Sequence, residues 1–334
     1  MSVVLVGVSD WAGGHFDSWS AETVIAGPSI YEGSRTASLN PPPEPVEAGA
    51  HLLSGSTGYT FRRNVPEVRL QFTVADEQGR LVRNLSAEDV RIYDNRAEVP
   101  HFSAFEHDDN LALALGLILD TSDSVKRVLA DEKAASVSFL ERVMRPRSDT
   151  AFVMSFGGDV KLWQAATADR QQLMDAIGRL QQPGWGTRFY DALYSACAGQ
   201  LAPKESGDTT HRALVVLSDG DDTASFRSLG DVVAIAQRSE IQIYALTIHP
   251  QQAADRGDRV LQRLADATGG RLYIASSSKE LDSAFTQIEQ DLRTQYYVSF
   301  PPQQSTPGYH ELRVEVRGPR PFQVHARRGY YAME

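Results

Sequence analysis

Residues 111–125 read LALALGLILDTSDSV, nine almost wholly apolar residues that end in Asp120, Ser122 and Ser124. A continuous apolar run of this length, closed by a polar turn, reads as a β-strand buried on both faces, the kind found in helix-covered parallel sheets. Just beyond it stand a carboxylate and two hydroxyls at alternate positions. In an extended turn such residues point the same way, so three hard oxygen donors can meet at one point.

The residues after this run predict the fold class. KRVLADEKAASVSFLERVM (126–144) has a helical period, TAFVMSF (150–156) reads as a strand, GGD as a tight turn and VKLWQ (160–164) as its hairpin partner. Helices are expected over Arg170–Leu180, 188–201, 228–239 and 258–270, the last closed by glycine, and strands over 212–219, 241–248 and 271–276. A final helix, Lys279–Leu292, sets Leu281, Phe285, Ile288 and Leu292 on one apolar stripe and runs directly into QYYVSF. The alternation predicts a Rossmann-like α/β domain: a mostly parallel sheet with one antiparallel edge strand and helices on both faces.

On either side of this region the period falls to two. Val68, Leu70, Phe72 and Val74 alternate with polar partners, EQGR supplies a turn, and Val90–Tyr93 and His101–Glu106 read as further strands. After residue 293, TQYYVSFPP, HELRVEVRG and FQVHARRGYY are three strand candidates. Neither set suffices for a sheet alone, so they are expected to pair as one small β-sandwich into which the α/β domain is inserted. The expected division is a leader over 1–60, sandwich halves over 61–108 and 294–334, and the α/β domain over 109–293. The leader reads as extended or disordered, being rich in Ser, Gly, Pro and Ala with PPPEPVEAG at its centre. Its opening, MSVVLVGVSDWAGG, has neither the positive start nor the cleavage site of a signal peptide.

Composition narrows the partners. A formal net charge of −10 over 334 residues, with no Lys/Arg run, disfavours nucleic acid and favours a cation. The single cysteine, Cys197, lies among apolar residues at helical spacing, reads as a small buried side chain and excludes an intrachain disulfide. No run approaches the roughly 20 apolar residues of a transmembrane helix.

Open α/β sheets bind ligands beyond the carboxyl ends of their strands. Three polar clusters fall there: Asp120-Thr-Ser122-Asp-Ser124, the GWGTRFYDAL segment with Thr187, and VVLSDGDD with Asp219. Asp120, Ser122, Ser124, Thr187 and Asp219 together offer two carboxylates and three hydroxyls, a donor set suited to Mg²⁺ or Mn²⁺.

These five residues resemble the metal-ion-dependent adhesion site (MIDAS) of von Willebrand factor type A domains, including integrin I domains, which carries DxSxS, a later Thr and an Asp after the fourth strand. The framing turn Asp76–Arg80 and the segment Gln295–Phe300 resemble those of the von Willebrand factor A related proteins of acidobacteria. The commoner glycine between the two serines is here Asp123. The resemblance implies a bacterial, non-catalytic, adhesion-type module whose metal binds an acidic side chain of a protein or peptide partner, in an extracytoplasmic place; Trp185 and Arg188, flanking Thr187, are expected at the rim as aromatic and cationic contacts. In integrin-type domains a shift of the last helix accompanies ligand capture, which the direct junction after Leu292 would pass to the sandwich.

Plainer readings stand beside these. Ser122, Ser124 and Thr187 also suit helix caps, and Asp219 a turn; Asp191 divides between an outer metal role and a helix N-terminus; Asp221 and Asp222 read as solvated turn residues and His249 as structural. A metal-dependent phosphatase of the haloacid dehalogenase type also places Asp at the end of a buried strand, but needs an acid where this chain has Ser122. A scaffold with a vestigial metal site is the third alternative.

Overall fold

In the computed structural model the opening run is the central strand of a six-stranded sheet. Residues 67–332 are described, apart from 108–110, 182–184, 204–208, 249–255, 305 and 319–320. The leader read over 1–60 and His249 therefore lie outside the described residues.

Along the chain run β1 (Val68–Ala75), β2 (Val90–Asp94), β3 (Ala97–Glu98), β4 (Ala104–His107), β5 (Leu113–Asp120), α1 (Leu129–Val143), β6 (Thr150–Phe156), β7 (Val160–Thr167), α2 (Arg170–Gly178), α3 (Phe189–Ser195), β8 (His211–Leu217), α4 (Leu229–Arg238), β9 (Ile241–Ile248) and α5 (Arg256–Thr268). They are followed by β10 (Leu272–Ala275), α6 (Ser278–Arg293), β11 (Tyr296–Phe300), β12 (Gly308–Val316), β13 (Gln323–Ala326) and β14 (Gly329–Ala332).

The large sheet has the order β10-β9-β8-β5-β6-β7, parallel throughout except for β7, which pairs antiparallel with β6 across the GGD turn. The chain leaves β5 toward β6 and later returns to β8 on the other side, so the switch point lies between β5 and β8. Alternate residues of β5 feed two cores. Leu113, Leu115, Leu117 and Leu119 pack with α1, α2 and α6, whereas Ile118 joins the core beneath α3, α4 and α5. Gly116 is glycine because a Cβ there would meet the Phe152 ring at 2.4 Å and Leu214 at 2.5 Å. The apolar stripe of α6 is buried as its spacing predicts, and Cys197 is fully buried, which pushes its thiol up to about 12.

Two four-stranded antiparallel sheets flank this layer, β13-β1-β11-β4 and β14-β12-β2-β3, each mixing strands from both ends of the chain. Val68 pairs with Phe300 and Phe72 with Tyr296, and a shared core holds Leu70, Phe72, Ile92, Tyr296, Val298 and Leu312. FQVHARRGYY, read as one strand, divides into β13 and β14 in different sheets. The reason is Arg327, whose buried side chain turns away to donate to the Gln237 carbonyl (3.2 Å) and the Arg69 carbonyl, while its backbone bridges Thr268.

Two helices are shorter than their periodicity predicts. Lys126–Val128 form turns, and α1 starts at Leu129 without a side-chain cap. The stretch 188–201 is α3 followed by a single wide π-turn over Ala196–Gln200.

Candidate metal centre

The carboxyl ends of β5 and β8 lie side by side, and the polar residues beyond them are brought to one sheet edge. Asp120, the last residue of β5, is fully buried. Its Oδ1 accepts the Ser122 N–H at 2.8 Å and its Oδ2 the Ser218 hydroxyl at 2.8 Å. Ser122 and Ser124 turn their hydroxyls toward each other, 3.0 Å apart, instead of capping α1. Thr187 is buried, and its loop is held from two sides: its N–H donates to the Thr223 hydroxyl (2.9 Å), and the next N–H, of Arg188, to the Gly157 carbonyl (2.9 Å). It does not cap α3, whose N-cap position is Arg188. Asp219 follows β8 and is half-buried; its carboxylate accepts the Asp221 N–H at 3.1 Å. The next residue, Gly220, has φ +78°, and a Cβ would lie 2.6 Å from the Gly257 carbonyl oxygen, so glycine is required where this loop meets α5.

The electrostatics set this edge apart. Burial pushes the Asp120 carboxyl up, hydrogen bonds from Ser122 and Ser218 offset that only in part, and the Asp219 charge adds to it, leaving it at about 6. Among the described residues neither Asp120 nor Asp219 forms an ion pair with a basic side chain. A desolvated carboxylate with no counter-charge, beside a second carboxylate, is an arrangement that a divalent cation relieves. Among the described residues no group of three or more His, Cys, Asp and Glu side chains is placed to hold a metal. The five-residue donor set needs none, since hydroxyls and waters complete a magnesium shell around one or two carboxylates.

Asp191 lies in the first turn of α3, in keeping with the helix N-terminus reading, and has a further task there. Its carboxylate accepts both Nε (3.0 Å) and an Nη (2.7 Å) of Arg188 and the N–H groups of Phe226 and Arg227, the latter at 2.9 Å. Burial works to raise its pKa, but these donors and the Arg188 charge outweigh it and hold the group below the usual carboxylate range. Asp191 therefore fastens the 222–228 loop to α3. Asp222, read as a solvated turn residue, is half-buried and accepts from the Tyr190 N–H (3.3 Å) and the Ser225 hydroxyl (2.5 Å). It braces the same loop.

Three features escaped the sequence reading. Ser218, which orients Asp120, is signalled only by its place before Asp219. Phe226, 90% exposed, stands with Trp185, 92% exposed, on the loops around this edge, and the Arg188 guanidinium lies 5.3 Å from the Phe226 ring centre. Glu132 on α1 is buried, with Ser136, in a face that is otherwise apolar.

Residues 115–287, more than half of the chain, match the von Willebrand factor type A domain model. The chain belongs to that family. Domains of the family are in general non-catalytic, protein-binding modules, often metal-dependent through a MIDAS. No curated protein matches the chain. Among solved structures, it is similar to an aerotolerance-related membrane protein of Bacteroides fragilis, with 21% identity over 54% of this chain and 98% of that one and a TM-score of 0.42. BatB of Bacteroides thetaiotaomicron is 16% identical over 55% of this chain and 100% of that one, with a TM-score of 0.43. Proximal thread matrix protein 1 of the mussel byssus, with a zinc-occupied MIDAS motif, is 14% identical over 60% of this chain and 49% of that one, with a TM-score of 0.48. Among the described residues no helix is long and apolar enough to cross a membrane.

Proposed function

We propose that the protein is a divalent-metal-dependent, non-catalytic binding module whose MIDAS consists of Asp120, Ser122, Ser124, Thr187 and Asp219, with Mg²⁺ or Mn²⁺ as the ion. The observation that carries the reading is the fully buried Asp120 carboxylate, held by neutral donors only and set next to Asp219 at the switch point of the sheet. Asp120, Asp219 and the three hydroxyls would hold the ion, which would supply a positive charge able to take one carboxylate from outside, and Ser218 fixes the direction of Asp120. Trp185 and Phe226 flank this edge, so the partner is a protein or peptide offering Asp or Glu beside apolar side chains. The inserted domain spans 109–293, the sandwich halves span 61–108 and 294–334, and the family resemblance supports an extracytoplasmic place, which mass spectrometry of the native N-terminus tests.

Titration calorimetry of the full chain with Mg²⁺ decides the central claim. Wild type should bind one ion and Asp120→Ala none; equal affinity in the two sinks the assignment. Absence of binding in wild type favours a vestigial site. Metal-dependent phosphoester turnover that Asp120→Asn abolishes favours the phosphatase.

A further inference from the structure

Glu132 sits in the first turn of α1, in line with Ala135, Ser136 and Phe139 on the helix face that packs against the sheet. It is 1% exposed, and its Oε2 has no hydrogen-bond partner. One turn along the same face, the buried Ser136 hydroxyl is also unpartnered. A buried carboxyl oxygen without a partner is uncommon in folded proteins, because its desolvation is then uncompensated; such an atom commonly pairs with an ion or an ordered water. Helical side chains lean toward the helix N-terminus, and the N-terminus of α1 is where the Asp120–Ser124 turn arrives, so Glu132 leans toward the carboxyl edge of β5. The charges it meets are consistent with this. Burial, then Asp120, then Asp219 push its carboxyl up, to about 8.

We propose that Glu132, with Ser136 behind it, forms the inner wall of the metal centre and reaches the ion through a water. This rests on the MIDAS reading above. Because no three acidic side chains among the described residues stand as a direct cage, the third carboxylate acts from outside the five-residue shell. Ionised beside a bound cation, it would add a negative charge on the side of the ion away from the partner. Such a charge strengthens retention of the cation and weakens its pull on an incoming carboxylate, so the site favours a resident ion over a strongly electrophilic one.

The test is Mg²⁺ titration calorimetry and thermal unfolding, with chelator and with Mg²⁺, of the full chain as wild type, Glu132→Gln, Glu132→Met and Asp120→Ala. Removing an outer-shell partner of a metal site typically weakens affinity by about 10-fold or more. Glu132→Gln should do so, with a metal-free melting temperature that does not fall and a Mg²⁺-induced rise that shrinks. Glu132→Met, which fills the space without a polar atom, should weaken binding at least as much and guards against misfolding of the first variant. Wild-type Mg²⁺ affinity in both Glu132 variants, with binding lost in Asp120→Ala, overturns the role of Glu132 alone. Wild-type affinity in Asp120→Ala overturns the metal reading beneath it.

Discussion

At the amino ends of the large sheet's strands Asp149, His211 and Asp291 are buried with partners in place; at the carboxyl ends Asp120 lacks a counter-charge and Glu132 a hydrogen bond. Asp149, ahead of β6, is fully buried and accepts the N–H groups of Leu113 (3.0 Å) and Arg145 (2.7 Å) as well as the Arg293 guanidinium. His211 faces the Leu292 carbonyl at 3.2 Å and the Gln242 amide at 2.8 Å, and Asp291 accepts the Tyr273 hydroxyl at 2.6 Å. The Arg293–Asp149, His211–Leu292 and Tyr273–Asp291 contacts tie the end of α6 to the sheet. Across the sheet, Asp120 and Glu132 are as deeply buried, yet Asp120 has only neutral donors and Glu132 an empty acceptor. Complete pairing serves the frame, whereas incomplete pairing persists where a ligand is to finish it.

The largest effect comes from breaking the paired end. Arg293→Ala removes the cation beside Asp149 and also the donors to the Val143 carbonyl (2.5 Å) and the Leu111 carbonyl (3.4 Å). Leaving a buried carboxylate without its partner costs about 3 to 5 kcal/mol. Urea unfolding should show that loss, with Mg²⁺ affinity at the far edge unchanged in the protein that remains folded. A loss below about 1 kcal/mol breaks the contrast, because it makes Asp149 no more dependent on its partners than Asp120 is.

The second effect is a pH dependence at the paired end. Burial lowers the His211 pKa from 6.5 to about 4. The unfolded chain therefore takes up a proton at this residue before the folded protein does, so stability is full above pH 6.5 and falls as pH drops toward 4. A shift of this size is worth about 3 kcal/mol across the window. His211→Gln keeps a hydrogen-bonding side chain and should flatten that part of the curve, with the difference between the two proteins cancelling all other titrations. Parallel curves for wild type and variant between pH 4 and 6.5 remove His211 from the account.

The same contrast separates what could be read in the sequence from what could not. LALALGLIL, RALVVLSD and IQIYALTI are buried on both faces and say so by composition, and the order of strands and helices follows from the alternation of their periods. The five positions proposed for the MIDAS are legible because Asp120 closes a strand and the others lie in polar turns next to regular elements. Glu132 is not: in LADEKAASV it resembles any acidic residue in a first helical turn, and only the packing of α1 on the sheet turns it inward. Asp191 and Asp222 accept N–H groups far away in sequence, a relation that no local pattern carries. Phe226 looks like an ordinary loop residue until the loop is seen to be fastened beneath it. Lys126–Val128 carry a helical period, but the two hydroxyls that stand ready to cap a helix face each other instead.

The smallest effect distinguishes two acids near the candidate ion. Asp123 replaces the commoner glycine between the serines; it is exposed, and its backbone is not in the left-handed region, so the position needs no glycine. Glu132, by contrast, is buried on α1. In water a unit charge about 8 Å from another contributes about 0.5 kcal/mol, roughly twofold in affinity, and salt screens it with a Debye length of about 8 Å at physiological strength. Asp123→Asn removes the charge without adding backbone freedom, and should weaken Mg²⁺ binding by no more than about threefold at low salt, fading toward nothing at about 0.5 M. The Glu132→Gln effect should persist at high salt, because a buried carboxylate is screened far less. If Asp123→Asn instead weakens binding as much as Asp120→Ala and does so at every salt concentration, Asp123 is itself a ligand. The exposed acid would then hold the ion, and the boundary between the two kinds of carboxylate at this edge would have to be redrawn.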